Sequence, residues 1–286
     1  MDPDILFKEA CDILSKKASL LDIISSNKEK KYESAQHLFD KCARLYKLSK
    51  QYNKATDAYE QSARCFLTLN NDSEAATAFM NAFETCQKYD IKGAIQYASD
   101  ATKIYTNLAS PNDISKCNEK LAICYESIND HKQALIHYTA CLSVSEIENK
   151  SYSINKFRLK IAGIYIHMQR YDDAAEIYEK LAETCINTLE KFRLNEYLTS
   201  AMICTLEKHD YITASKKFQS IIDTHKSYEE SSDGRFISDL LSAIKESNMG
   251  LYTTTLDRFK RLPDWQVNVL SNLETAMTSD DANDVC

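Results

Sequence analysis

Glycine and proline are scarce: the 286-residue chain holds 4 and 3 of them. Sandwiches and barrels need such turn formers at every corner, while Ala, Leu, Lys, Glu and Tyr, abundant here, favour helix. An all-α fold is therefore expected. The same shortage excludes Gly-rich phosphate loops, and no GK[ST], H-E-x-x-H or G-x-S-x-G occurs. No catalytic residue, no cofactor and no metal is expected. A surplus of positive charge is also missing, with a formal net charge of -7 and a pI near 5.5. That argues against nucleic acid as a partner, because phosphate backbones are held by clustered Lys and Arg. No apolar run approaches the roughly 20 residues that cross a bilayer, and the opening "MDPDILFKEACDIL" is acidic and amphipathic rather than a signal peptide. A soluble, cytoplasmic protein is expected.

The 10 cysteines include no C-x-x-C pair. Cys65, Cys86, Cys124, Cys141, Cys185 and Cys204 fall among apolar residues at helical spacing, as free thiols filling a core do. His137 and Cys141 stand one helical turn apart and invite a metal-assisted hydrolase reading, but two further ligands are missing from the pattern. Helix packing accounts for them as well.

What the chain does have is repetition. A small residue followed four later by an aromatic recurs at Ala35/Phe39, Ala55/Tyr59, Ala75/Phe79, Gly93/Tyr97, Ala134/Tyr138, Ala174/Tyr178 and Ala214/Phe218. The steps are 20, 20 and 18 residues, then 41, 40 and 40, with partner segments such as "EKLAICYESIN" between the later ones. Residues four apart share a helical face, so the small one admits a neighbouring backbone and the aromatic fills the gap beside it. Short polar breaks, "NND" at 70–72, "YD" at 89–90, "SPND" at 110–113 and "IND" at 128–130, supply side chains that cap helix ends. This grammar predicts a tetratricopeptide-like solenoid of antiparallel helix hairpins, forming a twisted sheet with a concave face. The rhythm fades at the polar run from Thr224 to Phe236. The expected domains are a solenoid over 1–224 and a C-terminal helical bundle with a short acidic tail over 225–286.

Three further features carry charge or apolar character. Lys28 to Lys54 holds eight Lys or Arg against three acids, whereas Glu274 to Cys286 holds four acids and no base. In "ASLLDIIS" at 18–25, Leu20, Leu21, Ile23 and Ile24 are bracketed by lysines, a pattern suited to an anionic membrane surface or to simple packing of the first helix. Lys88, Lys116, Lys156 and Lys160 lie near hairpin starts, off the alanine–aromatic stripe, where they can meet an acidic partner.

The ordered series resembles the soluble NSF-attachment protein (SNAP) family, the α type more than the γ type. The likeness is densest in "INKFRLKIAGIYIHMQRYDDAAEIYEKL" (154–181) and continues in "DSEAATAFMNAFETC" (72–86), "DIKGAIQYASDATKIYTNL" (90–108) and "LLSAIKESNMGLYT" (240–253). Trp265 in "LPDWQVNVL" falls where the family carries an Asp-Trp element. The resemblance implies an adaptor in vesicle fusion and membrane traffic. It would lie along a four-helix SNARE complex containing a syntaxin-like chain, and would recruit an NSF-type hexameric AAA ATPase for disassembly. It would also make peripheral contact with the membrane.

By the same resemblance, Lys88, Lys116 and Lys156 match SNARE-facing lysines, while Ser110 and Asn195 stand where the family has bases. Leu20, Leu21, Ile23 and Ile24 match a membrane-dipping loop, which Asp22 interrupts. Glu207 and Glu246 match acidic positions facing the ATPase, with Ser242 and Lys245 replacing neighbouring acids. Asp280, Asp281, Asp284 and Val285 match an acidic tail with a penultimate leucine. Two alternatives stand beside the adaptor: a general peptide-binding scaffold, and a divergent SNAP that competes with disassembly.

Overall fold

The computed structural model describes residues 2–16, 27–185, 191–208, 210–259 and 262–283. Among them every regular element is helical. Two compact units appear, Met1–Asn149 and Lys150–Cys286. The first holds α1 (Pro3–Ser15), α2 (Asn27–Leu48), α3 (Tyr52–Thr68), α4 (Asp72–Cys86), α5 (Ile91–Asn107), α6 (Pro111–Ser127) and α7 (His131–Ile147). From α1 to α7 each helix packs on the next, joined by short turns that reverse the chain.

The second unit holds α8 (Ser151–His167), α9 (Tyr171–Cys185), a 3-10 turn (Lys191–Arg193), α10 (Leu194–Leu206), α11 (Tyr211–Thr224), α12 (Lys226–Glu229), α13 (Ser232–Lys245), α14 (Met249–Arg258) and α15 (Asp264–Asn283). Its hub is α10, packed on α9, α11, α13 and α15. Ala201, Met202 and Leu206 share one core with Ile221, Ile237, Tyr252 and Leu273, so helices on both sides of Thr224 bury a common apolar surface. The architecture is the all-α, hairpin-built one that the repeat implied.

Stacking follows the alanine rule. Ala35, Ala55, Ala75, Ala134, Ala174 and Ala214 are completely buried, and Phe39, Tyr59, Phe79, Tyr138 and Tyr178 are buried beside five of them. On α5 the register differs. Gly93 and Tyr97 are only half-buried, and the core positions are Ala94 and Ala98. Counted from the residue before each helix, Ala55, Ala75, Ala94, Ala134 and Ala214 all stand four positions in. Gly93 serves the cap instead: its N–H donates to Asp90 Oδ1 at 3.0 Å, and a Cβ there would come within 2.4 Å of Asp90 Oδ2.

The polar breaks divide into two kinds. Asp90, Asp130 and Asp210 cap α5, α7 and α11 by accepting from the N–H three residues on. Asn71 and Ser110 precede α4 and α6 without such a bond. There the work is done by the end of the previous helix. Lys50, Asn70, Ala109, Asn129, Asn149 and Gln169 all have positive φ, between 49° and 59°. At Ala109 the N–H donates to Thr106 O and the next N–H to Tyr105 O, both at 3.1 Å, so that two terminal carbonyls are satisfied by one left-handed residue. The 20-residue rhythm is therefore written in helix ends as well as in alanines.

Candidate interaction surfaces

The lysines singled out by spacing fall in different places. Lys88 is exposed in the turn between α4 and α5. Lys116 is exposed on the second turn of α6, 3.1 Å from Asp113 Oδ1. The Ser110 hydroxyl and the Lys116 ammonium hold that carboxyl below its usual value. Because the chain reverses at each turn, Lys88 and Lys116 lie toward opposite ends of α5, and since Lys116 stands six residues back along α6 their separation along the helix axis is roughly 15–20 Å. Lys156 is half-buried on α8, its ammonium 5.2 Å from the Phe157 ring centroid. Exposed Lys160 lies one turn further on the same helix.

Both acids assigned to the ATPase side end helices. Glu207 is the C-cap of α10 and is half-buried, and Glu246 is the exposed C-cap of α13. Negative charge at the negative end of a helix dipole is unfavourable, so neither residue is placed there for helix stability. Burial first, then the charge of Glu207, raises the Tyr171 hydroxyl pKa. Asp280 and Asp281 belong to the last turn of α15. Asp284 and Val285 lie outside the described residues, as do Leu20, Leu21, Ile23 and Ile24.

The His137–Cys141 pair is engaged otherwise. His137 Nδ1 is 2.8 Å from Asn118 Oδ1 and its ring stacks on Tyr125 at 5.3 Å, while Cys141 Sγ donates to Ser115 O at 3.3 Å. Burial lowers the His137 pKa. Among the described residues no group of three or more His, Cys, Asp or Glu is placed to hold a metal ion. Cys65, Cys86, Cys124, Cys141, Cys185 and Cys204 are buried and form no disulfide among the described residues, and burial pushes Cys65 up to about 11 and Cys204 up to about 12.

Spacing did not reveal a groove in the first unit, between α3 and α5 and floored by α4, with a volume of about 780 Å³. Leu67, Phe79 and Ile104 give it an apolar lining. Its polar wall is a network. The Tyr97 hydroxyl donates to Glu60 Oε2 at 2.8 Å, and Arg64 donates twice to Glu60 Oε1, at 2.6 and 3.1 Å. Further along, Lys103 pairs with Asp100 at 2.9 Å. A signal existed in the sequence: Asp57, Glu60 and Arg64 share one face of α3, while Tyr97 and Asp100 share one face of α5. Only the pairing of α3 with α5 turns the two faces into one site.

Among the described residues no helix is long and apolar enough to cross a membrane. Residues 1–278 match the family model described as soluble NSF attachment protein, SNAP. The alpha-soluble NSF attachment protein of Mus musculus is 27% identical over 256 residues, covering 88% of this chain and 86% of its own. A probable vesicular-fusion protein, the sec17 homolog of Neurospora crassa, is 26% identical over 280 residues and 96% of each chain is covered. Among solved structures, a signal-transduction ATPase from Pyrococcus horikoshii with a tetratricopeptide-repeat sensor aligns with a TM-score of 0.46 and 13% identity, over 88% of this chain and 46% of that one. With a match that runs through both compact units, the chain belongs to the soluble NSF attachment protein family.

Proposed function

We propose that this chain is an adaptor that grips a four-helix SNARE complex and recruits an NSF-type AAA ATPase to take it apart. The observation that carries the reading is the family match over residues 1–278, which includes the hairpin stack and the helices after Thr224 alike. Lys88, Lys116 and Lys156 supply the SNARE contact. Lys88 and Lys116 are exposed and Lys156 is half-buried, and the ion pair of Lys116 with Asp113 is a surface one that opens at little cost, about 0–1 kcal/mol.

The bundle from residue 225 onward, with Glu207, Glu246 and the tail Asp280, Asp281, Asp284 and Val285, faces the ATPase. Glu207 and Glu246 sit against their helix dipoles, and a placement that costs local stability is expected where a partner's cations compensate it. Leu20, Leu21, Ile23 and Ile24 give peripheral contact with membrane, on the cytoplasmic side where SNARE bundles present themselves. The chain itself performs no reaction in this scheme. Its contribution is to convert ATP hydrolysis by the partner into a pull on the bundle.

The test is ATP-driven disassembly of a purified syntaxin-type SNARE complex by the ATPase, with the intact chain compared with one ended after Ser279. Truncation is expected to slow disassembly while SNARE binding is retained. If neither SNARE nor ATPase is captured at low or moderate salt, the adaptor reading fails. If binding occurs but added chain slows disassembly by another adaptor, the protein is a competitor. That outcome is favoured by Ser110, which stands at a family base position and whose hydroxyl is committed to Asp113 at 2.8 Å.

A further inference from the structure

Spacing passed over Lys120, and the packing of α6 on α4 gives it a place. Three side-chain contacts join these helices: Cys117 Sγ with Met80 Sδ at 3.4 Å, Lys120 Nζ with Glu84 Oε1 at 2.6 Å, and Gln87 Nε2 with Cys124 Sγ at 3.4 Å. Each pairs residues 36 or 37 apart, so α6 lies beside α4 in a single register and the two helices run the same way. Lys116 and Lys120 are one turn apart on one face of α6, while Glu84 lies in the last turn of α4 and Lys88 just past its end. Lys120 therefore stands about 6 Å further along this seam than Lys116, on the way to Lys88. Exposed Ile123 follows it on the same face.

The charges on this seam are not equally available. Lys88 makes no side-chain ion pair among the described residues, Lys116 is paired within its own helix to Asp113, and Lys120 is held from the neighbouring helix by Glu84. Lys120 is the more shielded of the two paired lysines, its side chain 38% exposed against 72% for Lys116, and its ammonium lies 5.6 Å from the Phe83 ring centroid. More than a third of each side chain in the Lys120–Glu84 pair still faces solvent, so an incoming carboxylate can reach the ammonium from that side. We propose that Lys120 is a further SNARE-contacting lysine and that Glu84 is its resident counter-ion, exchanged for a carboxylate of the bundle on binding. The inference rests on the adaptor reading and adds an element of selectivity to it. A helix that sets an acid against Lys120 and an apolar side chain on Ile123 gains from both, while one that offers neither leaves the internal pair closed.

The two members of the pair give the test its sign. Were the pair only a brace between α4 and α6, removing either member would act in the same direction. With Glu84 as an exchanged counter-ion, Glu84→Gln must tighten binding and Lys120→Gln must weaken it. Binding of a purified syntaxin-type SNARE bundle would be measured at low salt for the unaltered chain, both single variants, their double variant and Asp100→Asn, the last freeing Lys103 of α5 from a surface pair. Expected are a gain of about two- to fivefold for Glu84→Gln and a loss of similar size for Lys120→Gln, the span of an exposed ion pair. The gain should vanish when Lys120 is already glutamine, and Asp100→Asn should bind as the unaltered chain does. Thermal melts accompany each variant, and should Lys120→Gln melt early, Glu84→Gln against Asp100→Asn decides alone. Loss or no change with Glu84→Gln, no loss with Lys120→Gln, or an equal gain in the double variant or from Asp100→Asn overturns the inference and leaves the adaptor intact. No binding by the unaltered chain removes both.

Discussion

Replacing Ala109 by glycine is expected to stabilise this protein, although it deletes a side chain from a helical stack. Ala109 has φ of 49° in the turn after α5. A left-handed conformation costs an L-residue roughly 1–2 kcal/mol, because Cβ crowds the following carbonyl. Glycine relieves that strain but loses about 0.5–1 kcal/mol more backbone entropy on folding. The difference is a net gain of about 0.5–1 kcal/mol.

The same molecule supplies the controls. Gln169, at φ 56°, has no special tolerance for this region and should gain as Ala109 does. Asn129 and Asn149 adopt the same conformation at 59° and 53°, and asparagine visits it readily, so glycine there should gain close to nothing. Urea unfolding followed by circular dichroism reads the helices of the whole chain, those of the first unit included. Trp265, stacked on Tyr178 at 6.0 Å within the second unit, reads Gln169→Gly by fluorescence. For units of this size the gain corresponds to about 1–4 °C in Tm. If Asn129→Gly gains as much as Ala109→Gly, the strain account is wrong and the helix-end geometry contributes nothing specific.

Three other outcomes are expected. Charge reversal of Lys88, Lys116 or Lys156 to glutamate should each weaken SNARE binding several-fold at low salt, and the losses should shrink as salt screens exposed charges beyond about 8–10 Å. Equal losses at high salt would contradict a contact made through solvent-exposed ammonium groups. Asp4 accepts from Lys54 Nζ at 2.8 Å and from the Tyr46 hydroxyl at 2.5 Å, and these bonds hold its pKa below the ordinary 3.8. A carboxyl depressed by folding contributes stability above its unfolded pKa and loses it as pH falls through the folded one. Protection of α1 amides from exchange should therefore fall below about pH 3.8 in the unaltered chain and be weak at every pH in Asp4→Asn. Finally, in a Cys286→Ser background a maleimide at pH 8 should modify exposed Cys11 first, since the other cysteines of the described residues are buried and thiolates at about 11–12 are rare at that pH. Rapid labelling of Cys204 would show that α10 is not the closed hub described above.

The repeat was legible because its alanines are contact points. At Ala55, Ala134 or Ala174 any larger side chain would meet a neighbouring helix, so composition and position are tied together and the spacing can be read directly. On α5 that tie was hidden. Gly93 and Tyr97 imitate the small–aromatic pair one residue early, and only the cap at Asp90 shows that the buried register begins at Ala94. The helix ends were half-legible for a similar reason. Asn70 and Asn129 announce themselves, while Ala109 and Gln169 adopt the same conformation with residues that carry no turn signal. Fewer glycines did not mean fewer left-handed turns. The α3–α5 groove was legible only as two separate polar faces, Glu60 with Arg64 and Tyr97 with Asp100, since joining them depends on which faces of two non-adjacent helices look at each other.

The tyrosines explain how so polar a sequence holds its helices in register. Tyr46 of α2 donates to Asp4 of α1, Tyr97 of α5 to Glu60 of α3, and Tyr138 of α7 to Glu126 of α6. In the second unit Tyr228 of α12 meets Thr199 of α10 at 2.7 Å, and Tyr252 of α14 donates to Leu270 O of α15 at 2.8 Å. Each bond joins two different helices, and each has a ring buried in the joint or packed against it. A buried hydroxyl without its acceptor costs roughly 1–3 kcal/mol, so sliding one helix past another breaks the bond and strands both groups. Apolar packing alone would tolerate small slips of register; these pairs do not. These five phenols, with the His137–Asn118 contact, are thereby committed to fixing helix crossings. Exposed groups such as Lys88, Lys116 and Glu246 take no part in these joints, so changing their charge leaves the helix crossings in place.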